Sequence, residues 1–177
     1  FWILDFGFAA LFENRENVVT VYVPEKAALD TVKIDTSNGK VTADAWFTTQ
    51  NLNVQSDNGK IELMQMICEK NAQVHCSNGK ITVNAEFKGE SLFSSNNGNV
   101  ELAGAWEGTV TCKTNNGKIQ VTAPKPESAY RVEAHTDNGS VYVNDNKVLN
   151  PYTAQNTQAD TNLYAVSNNG SVRLEFA

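Results

Sequence analysis

The chain has 177 residues and a formal net charge of −6, from 14 basic and 20 acidic side chains. This acidic balance argues against general nucleic-acid binding, which requires a basic face. A chain of this length can bury one sizeable core, and we predict a single domain over residues 1–177. No stretch approaches the roughly 18 consecutive apolar residues of a membrane-spanning helix.

The first twelve residues, FWILDFGFAALF, are rich in aromatic side chains. They resemble part of a signal peptide only superficially, because Asp5 interrupts the run and no basic segment precedes it. We interpret residues 1–30 as an N-terminal cap or an incomplete first coil that covers the open end of the core. Any anchor or targeting segment would then lie outside this sequence.

Seven Asn-Gly dipeptides then follow at nearly constant spacing. Their glycines are Gly39, Gly59, Gly79, Gly98, Gly117, Gly139 and Gly170, so the intervals are 20, 20, 19, 19, 22 and 31 residues. A fixed period of this length indicates a repeat architecture. We number the repeats 1 to 7 in the order of these glycines.

Apolar residues alternate with polar ones on both sides of each Asn-Gly. Of the 28 positions that lie seven and five residues before the glycine, or two and four after it, all but Ser91 are apolar. Strict alternation with period two predicts two short strands in every repeat, each with one buried face.

The turns have a common chemistry. Asn tolerates the left-handed backbone conformation, and Gly adopts it without steric cost. A small residue precedes each glycine by three positions and can bond to the backbone of the turn. These residues are Thr36, Ser56, Cys76, Ser95, Thr114, Thr136 and Ser167.

Two architectures are compatible with these repeats. Asn-Gly between alternating runs favours a two-residue hairpin, which would give an array of β-hairpins. Stacked coils of a single-stranded parallel β-helix, in contrast, require a constant repeat length. A third apolar group also recurs seven or eight residues after the glycine, at Trp46, Phe47, Met66, Ile67, Phe87 and Trp106. We therefore predict an all-β, right-handed parallel β-helix of about seven coils, with the hairpin array as the alternative.

Three of the turns carry a family resemblance. The segments Thr36–Val41, Ser56–Ile61 and Thr114–Ile119 resemble the tsNGxI repeats of bacterial adhesin-type domains, which are also called toastrack domains. Residues 19–24 are also similar to that family, and the resemblance extends over residues 18–177. It implies a single-stranded β-helix of the bacterial cell envelope or surface, with a role in adhesion or envelope-stress signalling. It implies no catalytic residues.

The period breaks near the end of the chain. Pro124, Lys125 and Pro126 lengthen the link before repeat 6, and residues 144–162 form a polar insertion before repeat 7. Insertions in solenoids map to loops at the edge of the stack. The insertion is either a cap that blocks end-to-end strand pairing or a loop that binds a ligand.

One outward position is enriched in lysine. The residues that follow the seven glycines are Lys40, Lys60, Lys80, Asn99, Lys118, Ser140 and Ser171. Stacked lysines repel one another, so stability alone does not favour them. We propose Lys40, Lys60, Lys80 and Lys118 as a surface ligand site for an anionic glycan or cell-wall polymer. The alternative is that lysines prevent edge pairing and keep the domain soluble.

Residues capable of catalysis or metal binding are scattered. Glu62 and Glu101 occupy one column but lie two coils apart, about 10 Å at the usual strand spacing, which is too long for a glycosidase pair. His75 and His135 share another column three coils apart, so they cannot bind one metal ion. Cys68, Cys76 and Cys112 are predicted to be free thiols of the core. We predict no catalytic, cofactor-binding or metal-binding residues and no cofactor.

The sequence therefore favours a non-catalytic binding or scaffold module of the cell envelope. One alternative is a protein-interaction domain of an envelope-stress signalling protein. The other is a β-helix enzyme that degrades polysaccharides, which clustered acids and aromatics in a groove would support.

Overall fold

The computed structural model describes residues 3–8 as backbone and residues 20–177 in full. Within these ranges the chain is all-β, apart from one turn of 3₁₀ helix at Glu127–Ala129. The strands are β1 Ile3–Phe8, β2 Ala27–Asn38, β3 Val41–Asn58, β4 Ile61–Asn78, β5 Ile81–Phe87, β6 Glu90–Asn97, β7 Val100–Ala103, β8 Gly108–Asn116, β9 Ile119–Ala123, β10 Tyr130–Asn138, β11 Val141–Val143, β12 Asn146–Lys147, β13 Tyr152–Ala154, β14 Thr161–Asn169 and β15 Val172–Phe176. The remainder of the predicted N-terminal cap, residues 1–2 and 9–19, lies outside the described residues.

The repeats stack through parallel strand pairs. The segment before each Asn-Gly pairs with the equivalent segment of a neighbouring repeat, as Val32, Leu52 and Ala72 illustrate. The segments after the turn do the same, for example Val41 with Ile61. Within the described residues, no antiparallel pair is closed by an Asn-Gly turn: where the strands that flank a turn do pair, as β2 with β3, they run parallel and join equivalent segments of successive repeats, which contradicts the hairpin array. The fold is a curled, solenoid-like sheet.

The stacking order differs from the chain order. β14 of repeat 7 lies between β8 of repeat 5 and β10 of repeat 6, and β15 lies between β9 and β11. Leu163 of repeat 7 is accordingly paired with Val110 on one side and with Val132 on the other. The expectation that successive repeats stack successively is wrong for the last two. It fails because all seven turns offer the same docking surface, so adjacency in the chain does not determine adjacency in space.

The insertion before repeat 7 covers the outer edge of repeat 6. β12 pairs antiparallel with β11, and β13 pairs antiparallel with β10. A tight turn joins β11 to β12 at Asn144 and Asp145, whose φ angles of 46° and 61° match a primed hairpin turn. Hairpin geometry therefore occurs at this Asn-Asp and not at the Asn-Gly turns.

The inward side chains form one continuous core. Val54, Val74, Phe93 and Cys112 are successive neighbours in register, and all four have an exposed fraction of 0%. Their stacking and burial confirm the predicted core column.

The third apolar group joins this core except at two residues. Phe47, Met66, Phe87 and Trp106 are buried, but Trp46 is 57% exposed and Ile67 is only partly buried, outside the core cluster. The prediction for Trp46 is wrong because the alternation of β3 continues from Val41 through Ala45 to the buried Phe47, which places Trp46 on the outward face.

A continuous asparagine ladder runs along the turns. From repeat 2 onward, the Asn of each turn donates through Nδ2 to Oδ1 of the Asn in the neighbouring repeat, at 2.9–3.1 Å. The order along the ladder is Asn38, Asn58, Asn78, Asn97, Asn116, Asn169 and Asn138. Each interior amide thus donates one bond and accepts one, so the side chains fix the distance and the register between repeats.

The turn glycines are required by close approach between repeats. A Cβ on Gly79 would lie 1.6 Å from the carbonyl oxygen of Gly59, and a Cβ on Gly59 would lie 1.8 Å from that of Gly39. Left-handed φ angles occur at only some of these glycines, such as 124° at Gly39. From Gly59 onward the stacked backbones thus leave no room for a side chain, whereas a Cβ on Gly39 would meet no described atom within 4 Å, and glycine there is favoured by the φ angle.

Five of the seven small residues before the turn bond to the neighbouring repeat. Ser95 Oγ donates to the carbonyl oxygen of Gly79 at 3.1 Å, and Thr114 Oγ1 donates to that of Gly98 at 2.9 Å. Cys76 acts as the expected substitute for serine, since its Sγ lies 3.2 Å from the carbonyl oxygen of Gly59. Of the other two, Thr36 makes the bond that we predicted within one turn, since its Oγ1 donates to the carbonyl oxygen of Asn38 at 3.1 Å, and Ser56 Oγ is buried without a hydrogen-bond partner among the described residues.

The core column gives a first prediction. Val74→Asp should lower the free energy of unfolding by several kcal/mol, about 3 or more, because it buries a carboxylate without a partner. Denaturant titration measures this. Gln73→Asp is the matched control on the outward face, and a similar loss in both variants would contradict the assignment of Val74 to the core.

The asparagine ladder gives a second prediction. Asn78→Asp should destabilise the domain by about 1 kcal/mol, because the new carboxylate cannot donate to Asn58 Oδ1. Asn38→Asp should cost much less, because Asn38 only accepts a bond within the described ladder.

The pH dependence of these variants separates the two effects. The new carboxyl group at position 78 is favoured in its neutral form, so its pKa should rise in the folded state above about 3.9. The loss of stability in Asn78→Asp should be greatest at neutral pH, and it should shrink as the pH falls through the raised pKa of the new carboxyl group. Equal defects at positions 38 and 78 would show that the ladder does not stabilise the stack.

Candidate functional site: the lysine row

The four lysines predicted as a ligand site lie along one edge of the stack. The backbone fixes their spacing, because Val41 N–H donates to the carbonyl oxygen of Lys60 at 2.8 Å and Ile61 N–H donates to that of Lys80 at 3.0 Å. Lys118 continues the series beyond Asn99, whose Oδ1 accepts from Lys118 N–H at 2.9 Å. We call Lys40, Lys60, Lys80 and Lys118 the lysine row.

Two lysines of the row are held by glutamates. Lys40 Nζ lies 2.6 Å from a carboxylate oxygen of Glu62, and Lys80 Nζ lies 2.6 Å from one of Glu101. Each lysine directly follows the glycine of its own repeat, whereas each glutamate lies three residues after the glycine of the neighbouring repeat. The ion pairs therefore run diagonally between two repeats. These ion pairs are partly exposed and contribute little stability, but they occupy the two ammonium groups.

The other two lysines are exposed and have no such partner. Within residues 20–177, no carboxylate lies within 4.0 Å of the ammonium of Lys60 or Lys118. The row therefore has four cations and two acidic partners, an excess of two positive charges on a protein that is acidic overall.

Glu62 lies within the field of three lysines. Its pKa is lowered, first by the hydrogen bond from Lys40, which outweighs the opposing effect of burial, and further by the charges of Lys40, Lys60 and Lys80. A general acid of a glycosidase needs a raised pKa. Thr82 also separates Glu62 from Glu101 in the register, as predicted. Lysines lie beside both glutamates, however, and we did not predict them there.

The two histidines have separate surroundings. His75 Nδ1 is 2.9 Å from Ser94 Oγ, and its Nε2 is 3.5 Å from Ser77 Oγ. His135 Nε2 is 2.8 Å from Asp137 and its Nδ1 is 3.1 Å from Asn150. Because repeat 7 intervenes, the histidines are one repeat further apart than we expected from the sequence. No group of three or more potential metal ligands occurs in the described part of the chain.

The three cysteines are buried free thiols, as expected. Burial raises the pKa of Cys68, Cys76 and Cys112 above the usual thiol range. These thiols are therefore poor nucleophiles and behave as core residues.

Comparison with known families agrees with this structure. The Toastrack DUF4097 family model matches residues 1–105 and, in a second overlapping match, residues 49–176. The chain belongs to this family, whose function is unknown and which is not a known enzyme family. No curated protein and no solved structure matches the chain. In the described residues, no helix is long and apolar enough to cross a membrane.

Proposed function

We propose that this domain is a non-catalytic binding scaffold of the bacterial cell envelope or surface that holds a linear anionic polymer along the lysine row. The scaffold is a right-handed parallel β-helix of about seven coils. The observation that carries the proposal is the pair of exposed, unpaired lysines, Lys60 and Lys118, in a row whose spacing the backbone sets.

The row is not needed for stacking. The contacts that hold the repeats together are made by the asparagine ladder, the turn glycines and the inward side chains. Like charges on neighbouring strands are instead unfavourable. A polymer with an anionic group in each repeating unit would relieve this repulsion and would gain several weak contacts at once. An envelope glycan or a teichoic-acid type polymer has this chemistry.

Glu62 and Glu101 compete with a polyanion for two lysines of the row. A polyanion must displace Glu62 or Glu101 in order to engage Lys40 or Lys80. Binding should therefore be weak and dependent on salt, and it should change when either the lysines or the glutamates are substituted.

This competition provides the main test. Lys60→Gln with Lys118→Gln should weaken binding of poly(glycerol phosphate) by about fivefold or more at low salt, since two exposed charge contacts are lost. Glu62→Gln should strengthen binding because it frees Lys40. Fluorescence anisotropy with a labelled polymer measures both changes.

Controls matched in charge separate a site from a general charge effect. Lys70→Gln with Lys125→Gln removes the same charge elsewhere, and Glu133→Gln matches Glu62→Gln on a different face. If each control changes binding as much as its counterpart, or if the parent protein does not bind, the lysine row is only a solvated surface.

A second candidate is a protein-binding role, as in envelope-stress signalling. It is favoured by a shallow groove on the insertion, lined by Val148, Leu149, Pro151 and Tyr152. Leu149 is 84% exposed, which is unusual for a large apolar side chain.

A variant of the exposed leucine distinguishes this role from the first. Leu149→Glu should abolish capture of a protein partner and leave binding of poly(glycerol phosphate) within about twofold, since Leu149 lies outside the lysine row. Loss of polymer binding in this variant would contradict the separation of the two surfaces.

A further inference from the structure

Repeat 7 occupies a gap whose two walls come from other repeats. On one side it contacts repeat 5, where Asn169 Nδ2 donates to Asn116 Oδ1 at 3.0 Å. On the other side it contacts repeat 6, where Asn138 Nδ2 donates to Asn169 Oδ1 at 2.9 Å. Both are the bond that recurs between neighbouring turns throughout the stack, so neither contact itself requires repeat 7 to belong to the same chain.

The gap also buries the apolar face of repeat 7. Leu163, Ala165, Val172 and Leu174 each have an exposed fraction of 0%. Ser167 Oγ donates to the carbonyl oxygen of Gly117 at 3.0 Å. The gap thus recognises an extended pair of strands joined by Asn-Gly, with apolar side chains at alternate positions.

A short hinge is the only covalent connection between repeat 7 and the preceding strand. Residues 155–160 cross repeat 6, from β13 on its outer side to β14 on its inner side. One side chain fastens this crossing. Arg131 donates through Nε to the carbonyl oxygen of Asn156 and through Nη2 to that of Thr157, both at 3.1 Å, and through Nη1 to Asn162 Oδ1 at 3.4 Å.

The remainder of the insertion is fastened separately to repeat 6 and its link. Asn150 exchanges two hydrogen bonds with the backbone of Thr136, and the Tyr152 hydroxyl donates to the Glu127 carboxylate. Burial and the neighbouring Glu127 raise the pKa of Tyr152 to about 12, so this donor persists at neutral pH. Residues 155–160 can therefore detach from repeat 6 while the rest of the insertion stays in place.

We propose that the gap between repeats 5 and 6 is a strand-binding site whose occupant, residues 161–177, can be supplied by the same chain or by a second copy. Every contact that repeat 7 makes in the gap is the same in either case, and only the hinge path differs. Exchange of an identical element between copies is a low-cost route to a dimer. Arg131 favours the closed single chain, because its bonds to Asn156 and Thr157 form only when the hinge crosses repeat 6, whereas its bond to Asn162 is kept in either case.

The test uses the whole chain with a protease recognition sequence placed between Thr157 and Gln158. After cleavage, residues 158–177 should stay bound through size-exclusion chromatography. A fluorescent synthetic peptide of residues 158–177 should then replace the bound segment faster than the protein unfolds globally, as followed by tryptophan fluorescence.

Variants of Arg131 test the hinge contacts in the uncleaved protein. Arg131→Ala should form dimers at high concentration, and two differently tagged copies should form mixed dimers at least about tenfold faster than the parent protein. Arg131→Lys keeps the charge but loses the planar guanidinium that donates to two carbonyl oxygens at once, so it should behave like Arg131→Ala. Light scattering and co-purification of the tags measure these dimers.

A peptide control tests recognition by the gap. The same peptide carrying Leu163→Asp and Leu174→Asp should not enter the cleaved protein. The proposal is overturned if peptide uptake is no faster than global unfolding, if the substituted peptide enters equally well, or if the Arg131 variants remain monomeric.

Discussion

Close approach of the backbones at the Asn-Gly turns is the constraint on which the rest of this structure depends. From repeat 2 onward, the glycine of each repeat lies against the glycine carbonyl of the repeat before it in the stack, so no side chain can be placed there. Asparagine beside it is the residue that can both donate to one neighbour and accept from the other, and the ladder uses both capacities. Once this spacing is set, the strands on both sides of the turn are in register and the inward side chains meet their equivalents.

The sequence was sufficient to predict this part of the fold because the pattern is local and repeated seven times. Alternation located Val54, Val74 and Phe93 in the core, and the residue after each glycine was predicted to form an outward row. The ladder bond was missed, although the invariant asparagine was its signal. We explained that asparagine by turn conformation alone, and only the structure shows that its amide links neighbouring repeats.

Other features could not be predicted because they depend on which repeats become neighbours. The ion pairs of Lys40 and Lys80 join non-equivalent positions of neighbouring repeats, whereas the repeat pattern aligns only equivalent positions. The outward position of Trp46, in contrast, could have been predicted, because it follows from the alternation that leads from Val41 to Phe47. The position of repeat 7 follows from the interchangeability of the turns, and its only sequence signals were the lengthened link at 124–126 and the insertion at 144–162.

The order of the repeats also has consequences for folding and for function. Most neighbouring turns are 19 or 20 residues apart in the chain, but the contact between Asn116 and Asn169 spans 53. Contacts that close longer loops form later because they cost more chain entropy. Repeats 1 to 5 can therefore assemble locally, whereas the C-terminal end is completed only when repeat 7 reaches the gap. The lysine row belongs to the locally assembled part, and the exchangeable strands belong to the other, so binding of a polymer and exchange of repeat 7 can occur independently in one domain.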